Sequence, residues 1–144
     1  MTGDFDLDFA NMTNEHHQGA SDMSEQEVKM GKQENIKQIW QHIIICQKKE
    51  QATLKGILYN YKPMEIDKGK HDDLMQSMNE MKTDIPSLKM SCKSDIDFSL
   101  MMIAHHESAI KMAKVEIAHG MNVQLKSICT AMLCENLIKI MKLW

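Results

Sequence analysis

Two stretches of the sequence decide the fold: DLDFANMTNEHHQGASDMSEQEVKMG at residues 6–31 and DIDFSLMMIAHHESAIKMAKVEIAHG at residues 95–120. They align without a gap, residue 95 on residue 6, and the alignment extends over residues 1–55 and 90–144. The positions identical within the two stretches are Asp6/Asp95, Asp8/Asp97, Phe9/Phe98, Met12/Met101, His16/His105, His17/His106, Ala20/Ala109, Met23/Met112, Glu27/Glu116 and Gly31/Gly120. A repeat of this length suits a helical hairpin better than a solenoid unit, so the sequence predicts two hairpins related by approximate two-fold symmetry.

Each copy carries the signals of two helices. Acidic residues open the first helix, where they favour the positive end of the helix dipole. A glycine closes it, at Gly31 and Gly120, where we expect a left-handed C-cap. Apolar residues then recur at helical spacing over residues 36–57 and 125–143, and a shorter helical period lies within residues 59–94. We therefore predict an all-α, ferritin-like four-helix bundle made of two duplicated helical hairpins joined by a short crossover helix.

The composition agrees with one helical domain. Of the 144 residues, 43% are hydrophobic and 26% are charged, with 6 Gly and 2 Pro. The chain is long enough to bury a core, and it lacks the turn residues that many short strands need. We interpret residues 1–144 as a single domain, with repeat one at 1–58, the crossover at 59–94 and repeat two at 95–144.

The charge and hydropathy patterns exclude two classes of partner. Seventeen Lys and Arg stand against 20 Asp and Glu, without a basic block, so we expect no nucleic-acid binding. No apolar run is long enough to span a bilayer, and residues 1–8 are acidic where a signal peptide would be basic, so membrane insertion is not expected. A leader removed earlier would leave no trace, so these patterns leave the compartment open, as they do the formation of a homo-oligomer.

The chain is rich in two side chains that bind soft metal ions, with 15 Met and 7 His. Met stands one helical turn before His three times, at Met12, Met101 and Met102. A thioether and an imidazole four residues apart can converge on one ion, and this donor set favours copper or silver over Ca²⁺ or Mg²⁺. Zinc held by imidazole and carboxylate is less favoured, because the spacings of a closed structural zinc site are missing.

A structural interpretation competes with metal binding. Met also fills irregular cores, and one His of each adjacent pair would then be a semi-buried imidazole bonded to a carboxylate such as Glu27 or Glu116. The sequence thus supports two hypotheses, a non-catalytic soft-metal-binding protein that sequesters or handles the ion, and a structural or interaction bundle that binds no metal.

Enzyme motifs are incomplete in this sequence. A carboxylate-bridged di-iron bundle needs Glu-x-x-His on two helices, but the motif occurs once, at Glu116 and His119, and Met30 takes the equivalent place in the first copy. The pair HE at residues 106–107 begins like a zinc-protease motif whose second His is replaced by Ile110. We expect no enzymatic activity and no organic cofactor.

The crossover allows two interpretations. Its helical face could be a second soft-metal patch or an apolar lid over the bundle. We favour the lid, because no carboxylate or second His joins this face. The residues of the face are His71, Met75, Met78 and Met81.

The four cysteines show no disulfide framework. They contain no C-x-x-C pair, and the two in the last helix are five residues apart, too far around that helix to bond to each other. We expect buried free thiols, with soft-metal binding or an intermolecular bridge as the alternatives. The cysteines are Cys46, Cys92, Cys129 and Cys134.

The duplicated motif resembles that of a known family. Between residues 97 and 120 it contains Asp-Phe, Met-Met, His-His-Glu-Ser-Ala, Met-Ala and Gly, and the first copy continues into Ile43-Ile44, Gln47 and Glu50. This pattern is similar to that of the domain-of-unknown-function 305 (DUF305) family. The resemblance implies a ferritin-like helical bundle, exported to the periplasm or cell exterior in bacteria, in which some members bind copper or silver.

The resemblance also implies a set of metal ligands by position. In this sequence the matching residues are Met12, His16, His17, Met23, Met101, Met102, His105, His106 and Met112. Two departures distinguish the halves: Thr13 replaces the second Met of copy one, and Asn136 and Lys139 replace the usual Gln and Glu of copy two. We therefore do not expect both halves to bind metal equally.

Overall fold

The protein is a bundle of long helices. The computed structural model describes residues 2–63, 72–77, 79–80, 89, 91 and 94–143. Its long helices are α1 (Phe5–Met30), α2 (Glu34–Tyr59), α3 (Ser94–His119) and α4 (Val123–Leu143). No strand occurs among the described residues. The prediction of an all-α bundle of two duplicated hairpins is confirmed, with α1 and α2 in one hairpin and α3 and α4 in the other.

Side chains near the N-terminus fix the start of α1. The Asp4 carboxylate accepts a hydrogen bond from the backbone N–H of Leu7 at 2.9 Å, which satisfies one of the free donors of the first turn. Asp8 accepts another from the backbone N–H of Thr2 at 2.7 Å and so ties down the preceding residues. The expected acidic first turn is thus present and does more than face the helix dipole.

The glycines that end α1 and α3 do not adopt the conformation that we expected. Gly31 ends α1 and donates its N–H to the Glu27 carbonyl at 2.7 Å, but its φ is −63°. Among the described residues only Gly3 has a positive φ. The predicted left-handed C-cap at Gly31 and Gly120 is therefore wrong. Glycine is needed at these positions because a side chain would not fit.

The two hairpins meet through α1 and α3, which run antiparallel. The start of α1 lies beside the end of α3, since Asp6 accepts a hydrogen bond from the Met121 N–H at 2.8 Å, and the middles meet at His16 and His105. By contrast, α2 and α4 touch each other only slightly. The duplicated first helices therefore form the centre of the bundle, and the second helices flank it.

Two apolar clusters fill the bundle on either side of this central contact. One contains Trp40 of α2, which is fully buried and packs edge-on against Phe98 of α3 with ring centroids 4.6 Å apart. The other contains Phe5 and Phe9 of α1 together with Met112 of α3. Residues of the duplicated motif, such as Phe9, Phe98 and Met112, are thus core residues of the interface between hairpins.

Part of the crossover is described, and it is helical at residues 72–77 and 79–80. Leu74 is fully buried in the cluster of Phe5, Phe9 and Met112. Polar contacts hold the same segment along α3, including Lys111 Nζ to Glu80 Oε2 at 2.7 Å. The segment covers this end of the bundle as the predicted lid would, while three residues of the predicted lid face, His71, Met78 and Met81, lie outside the described residues.

Candidate functional site

The first histidines of the two repeats face each other at the centre of the bundle. His16 donates from Nε2 to the backbone carbonyl of His105 at 3.1 Å, and His105 donates from Nε2 to the carbonyl of His16 at 3.0 Å. The rings lie 3.6 Å apart between centroids and tilt by 35°. We call these two residues the histidine pair. It marks the approximate two-fold axis predicted from the repeat.

Burial keeps the His16 ring of the histidine pair neutral. Desolvation lowers the pKa of His16 well below its usual value of 6.5, and the nearby His105 lowers it further. A neutral ring whose Nε2 carries the proton has its lone pair on Nδ1. Metal binding by these two residues therefore has to use Nδ1 or break the reciprocal hydrogen bonds.

The second histidines point into their own hairpins. His17 of α1 is buried, and its Nε2 lies 2.7 Å from Oε2 of Glu50 on α2. His106 of α3 is also buried, and its Nδ1 donates to the carbonyl of Met102 one turn earlier at 2.7 Å. The adjacent imidazoles thus separate: His16 and His105 meet across the repeats, His17 contacts the flanking helix α2, and His106 bonds within its own helix.

The carboxylate partner of His17 differs from the expectation. The structural interpretation of the sequence offered Glu27 or Glu116 for this role, but Glu50 fills it. Glu27 and Glu116 instead face Asp95 and Asp6 from the opposite first helix. The sequence spacing shows which residues share a helical stripe, but the register between two helices decides which of them meet.

Two equivalent carboxyl pairs lie at the ends of the α1–α3 contact, Asp6 with Glu116 and Glu27 with Asp95. Burial, and then the charge of Asp6, raises the pKa of Glu116 to about 9. Burial and Asp95 raise the pKa of Glu27 in the same direction. Glu116 is therefore protonated at neutral pH and donates to Asp6, which removes the repulsion between two buried carboxylates.

Gly31 and Gly120 make room for the carboxyl pairs. A Cβ added at Gly31 would lie 2.9 Å from Oδ1 of Asp95 and 2.8 Å from the Glu27 carbonyl oxygen. One added at Gly120 would overlap the Glu116 carboxyl group and lie 2.8 Å from Oδ1 of Asp6. In the sequence, the aspartates, glutamates and glycines of this arrangement were interpreted as separate signals. All of them are identical in the two copies, and this shared identity is the pattern that could have revealed the carboxyl pairs.

The methionines of the predicted ligand set fall into two environments. Met102 and Met112 are buried, while Met12, Met23 and Met101 are half-buried. Met23 of α1 and Met101 of α3 line one open pocket of about 210 Å³ together with Met30, a residue that the sequence did not single out as a ligand. We call this the methionine pocket. Its other lining residues are Gln26, Glu27, Asp97 and Phe98.

The equivalent place in the other half contains a buried methionine, Met112, and a half-buried one, Met12. The repeat pairs Met23 with Met112 and Met101 with Met12. Met112 belongs to the apolar cluster that also contains Leu74 of the crossover, and Met12 packs against that cluster. The duplication therefore supplies two sets of thioethers, of which the crossover leaves one open to solvent.

The structure does not bring the predicted ligands into one centre. Among the described residues, no group of three or more His, Cys, Asp and Glu is placed to hold a metal ion. The histidine pair contains two of the predicted ligands and the methionine pocket another two, Met23 and Met101. Of these two places, only the methionine pocket is open to solvent.

The described cysteines are free, but only one is fully buried. Cys129 is buried, Cys46 is half-buried and Cys134 is exposed. Burial and the neighbouring Glu116 raise the pKa of the Cys129 thiol, so it is inert at neutral pH. The expectation of buried free thiols is confirmed for Cys129, is wrong about burial for Cys134, and concerns a residue outside the described ranges in the case of Cys92.

Fold and central contacts together define a class of protein, a helical bundle built by duplication of one hairpin whose first helix carries the adjacent histidines. A family model described as domain of unknown function (DUF305) matches residues 6–143. The chain belongs to the DUF305 family, as its motifs indicated. A comparison with curated proteins gave no significant match.

Solved structures of this family share the fold. A DUF305 protein from Streptomyces coelicolor, described as a candidate secreted protein, superposes with a TM-score of 0.73 at 18% identity, covering 99% of this chain and 91% of that one. A DUF305 fragment from Deinococcus radiodurans gives 0.70 at 15% identity, covering 99% and 93%. CopM in its Cu(I)-bound form gives 0.69 at 21% identity, covering 96% and 91%, and CopM was also solved with Ag bound. At these identities the likeness shows the fold alone.

Within the described ranges, no helix combines the length and the apolar character that crossing a bilayer requires.

Proposed function

We propose that this protein binds a soft monovalent metal ion, copper(I) or silver(I), in order to sequester or hand over the ion without turnover. The observation that carries the proposal is the methionine pocket, where Met23, Met30 and Met101 from two helices line one opening to solvent. Thioethers are soft ligands that select Cu(I) over the harder ions Ca²⁺, Mg²⁺ and Zn²⁺. The binding of Cu(I) and Ag by CopM, which shares the fold, supports the same choice of ion.

The donor set of the pocket fits this ion. Three thioethers can supply three neutral soft ligands, and the carboxylate of Asp97 and the carboxyl group of Glu27 line the same opening. The other predicted ligands stay predictions.

The proposal extends to the compartment. A related structure is described as a candidate secreted protein. We therefore propose export to the periplasm or the cell exterior, to be checked by locating the full-length protein in cell fractions.

The decisive experiment is Cu(I) titration against a competing chelator under reducing conditions. It uses a variant in which Cys46, Cys92 and Cys134 are replaced by Ser, so that thiols do not compete. Adding Met23→Leu, Met30→Leu and Met101→Leu should abolish saturable uptake, because Leu keeps the volume and removes the sulfur.

A matched control carries three Met→Leu changes elsewhere, at Met12, Met112 and Met121. It should bind as its parent does, since Met112 is buried, Met12 packs against the same apolar cluster, and Met121 is exposed outside the methionine pocket. Equal loss in both triple variants, or undiminished uptake in the pocket variant, would rule out this site.

A second candidate function is favoured by the histidine pair. Reciprocal hydrogen bonds between buried rings and backbone are what a purely structural bundle would use His for. In that case His16→Ala with His105→Ala lowers the melting temperature in metal-free buffer, and added Cu(I) does not raise that of the wild type. A ligand that binds only the native state must raise it.

A further inference from the structure

A histidine and a cysteine lie one turn apart on α2, away from the contact between repeats. Nε2 of His42 is 3.5 Å from Sγ of Cys46. His42 is exposed and Cys46 is half-buried, so solvent reaches the pair. Neither residue belongs to the duplicated motif, because the equivalent positions in the second repeat hold Ala131 and Glu135.

The separation of the two atoms is that of a metal chelate. With Zn–S near 2.3 Å and Zn–N near 2.05 Å, a tetrahedral ion holds its sulfur and nitrogen ligands about 3.5–3.6 Å apart. The pair already has this spacing without moving the helix. Residues four apart on a rigid helix also lose little freedom when they bind one ion.

Open space adjoins Cys46, although His42 does not line it. Cys46 lines a pocket of about 200 Å³ between α2 and α4, and the carboxylates of Glu50 and Glu135 line it too. Of these two carboxylates, Glu50 already contacts Nε2 of His17 at 2.7 Å. Met132 brings a thioether to the same wall.

We propose that His42 and Cys46 form a second metal site, a bidentate chelate for a thiophilic d¹⁰ cation such as Zn²⁺ or Cu(I), with water completing the coordination. Two protein ligands, of which His42 is exposed, make the ion exchangeable rather than structural. The proposal does not rest on the methionine pocket, since thiolate and imidazole also bind Zn²⁺, which thioethers bind poorly.

The test measures protection of Cys46 from a maleimide by Zn²⁺. The starting protein is the Cys92→Ser, Cys134→Ser variant, in which Cys46 and the buried Cys129 remain, and labelled peptides are counted by mass spectrometry. Zinc added in steps should slow the labelling of Cys46 to a saturating limit, with a protection factor of about ten when free zinc is about ten times Kd.

His42→Ala in this background should shift the zinc midpoint upward at least about tenfold, the size expected even for loss of an outer partner of a metal ligand. His42 is exposed, so the variant keeps the fold, which circular dichroism checks. Each labelling rate is divided by that of the same variant without zinc, so that altered thiol reactivity does not enter.

Cys134 provides the matched control. It is exposed on α4, and the residues one turn away, Thr130 and Ile138, offer no metal ligand at the chelate spacing. In the Cys46→Ser, Cys92→Ser variant, zinc should leave its labelling unchanged over the same range. Equal protection of Cys134, or an unshifted midpoint in His42→Ala, would overturn the proposal, whereas the triple Met→Leu pocket variant should retain the protection of Cys46.

Discussion

Gly120 stands where any side chain would collide with two carboxyl groups. The Cβ of Ala at this position would overlap Glu116 and crowd Asp6, and Gly31 has the equivalent role beside Glu27 and Asp95. Because the φ of these glycines is not positive, the conflict for Ala is one of space and not of backbone conformation.

We predict that Gly120→Ala lowers the free energy of unfolding by about 1–3 kcal/mol, the usual cost of overpacking. Gly31→Ala should have the same sign. The matched controls are Gly19→Ala and Gly56→Ala, which add a methyl group to open space within helices and should stabilise the protein by about 0.5–1 kcal/mol. Urea denaturation of the four variants measures the contrast, and a stabilising Gly120→Ala would contradict the packing of the carboxyl pair.

A buried proton links Glu116 to Asp6. The pKa of Glu116 is about 9 in the folded protein against an ordinary value of 4.5. Between these values the unfolded chain releases a proton that the folded chain keeps. The contribution of Glu116 to stability is therefore complete below about pH 4.5 and is lost as the pH rises through about 9.

We predict that Glu116→Gln flattens this pH dependence, since an amide donates to Asp6 at every pH. At about pH 8.5 the variant should be more stable than the wild type by about 1–3 kcal/mol, the scale of an unsatisfied buried group, and the difference should shrink toward about pH 5. Urea unfolding at the two pH values checks this. A difference of the same size at both would show that no proton is held between the two residues.

At the scale of helices, the antiparallel contact of α1 with α3 contains the buried, neutral ring of His16. The pKa of His16 lies below its ordinary 6.5 because the ring is buried beside His105. The unfolded chain takes up a proton near pH 6.5 that the folded chain refuses. The contribution of His16 to the stability of the folded protein is therefore present above about pH 6.5 and is lost as the pH falls toward the lowered pKa.

We predict a drop in melting temperature as the pH falls from about 7 to about 5, carried by the histidine pair. The variant His16→Asn with His105→Asn should be less stable at pH 7 but should lose much of that drop, because Asn does not titrate. His42→Asn, on the exposed surface, is the control and should keep the acid sensitivity of the wild type. If the melting temperature of the double variant falls between about pH 7 and about pH 5 as much as that of the wild type, groups other than the histidine pair cause the acid sensitivity.

The sequence predicted these helices well and their mutual register poorly. The duplicated stripe of Phe, Met, His and Ala identified the face of α1 and α3 that is buried, because helical periodicity depends on one helix at a time. Which residue of α3 meets which residue of α1 depends on how two surfaces interlock, so the pairing of Glu27 with Asp95 was not foreseen. The partner of His17 was missed for the same reason.

At the scale of the whole molecule, the crossover breaks the symmetry of the duplication. The sequence indicated the length of the crossover and favoured its interpretation as a lid. It did not indicate which end of the bundle the crossover covers, because a single connection can lie over either half of a symmetric bundle. Leu74 settles this by its burial in the cluster with Phe5, Phe9 and Met112. Asp73 adds a contact to His119 at 3.3 Å from the same side.

This asymmetry predicts one thioether site per chain rather than two. In the variant without Cys46, Cys92 and Cys134, silver should bind at the methionine pocket while Met12 and Met112 stay covered.

Leu74→Ala should cost about 2–5 kcal/mol of stability, as the loss of a fully buried Leu does, and should expose a second set of thioethers. Isothermal titration with Ag⁺ should then detect an additional equivalent in Leu74→Ala that disappears when Met12→Leu and Met112→Leu are added. If the parent variant binds two equivalents of Ag⁺, the crossover does not close the second set of thioethers. The duplicated halves would then bind metal independently of the segment between them.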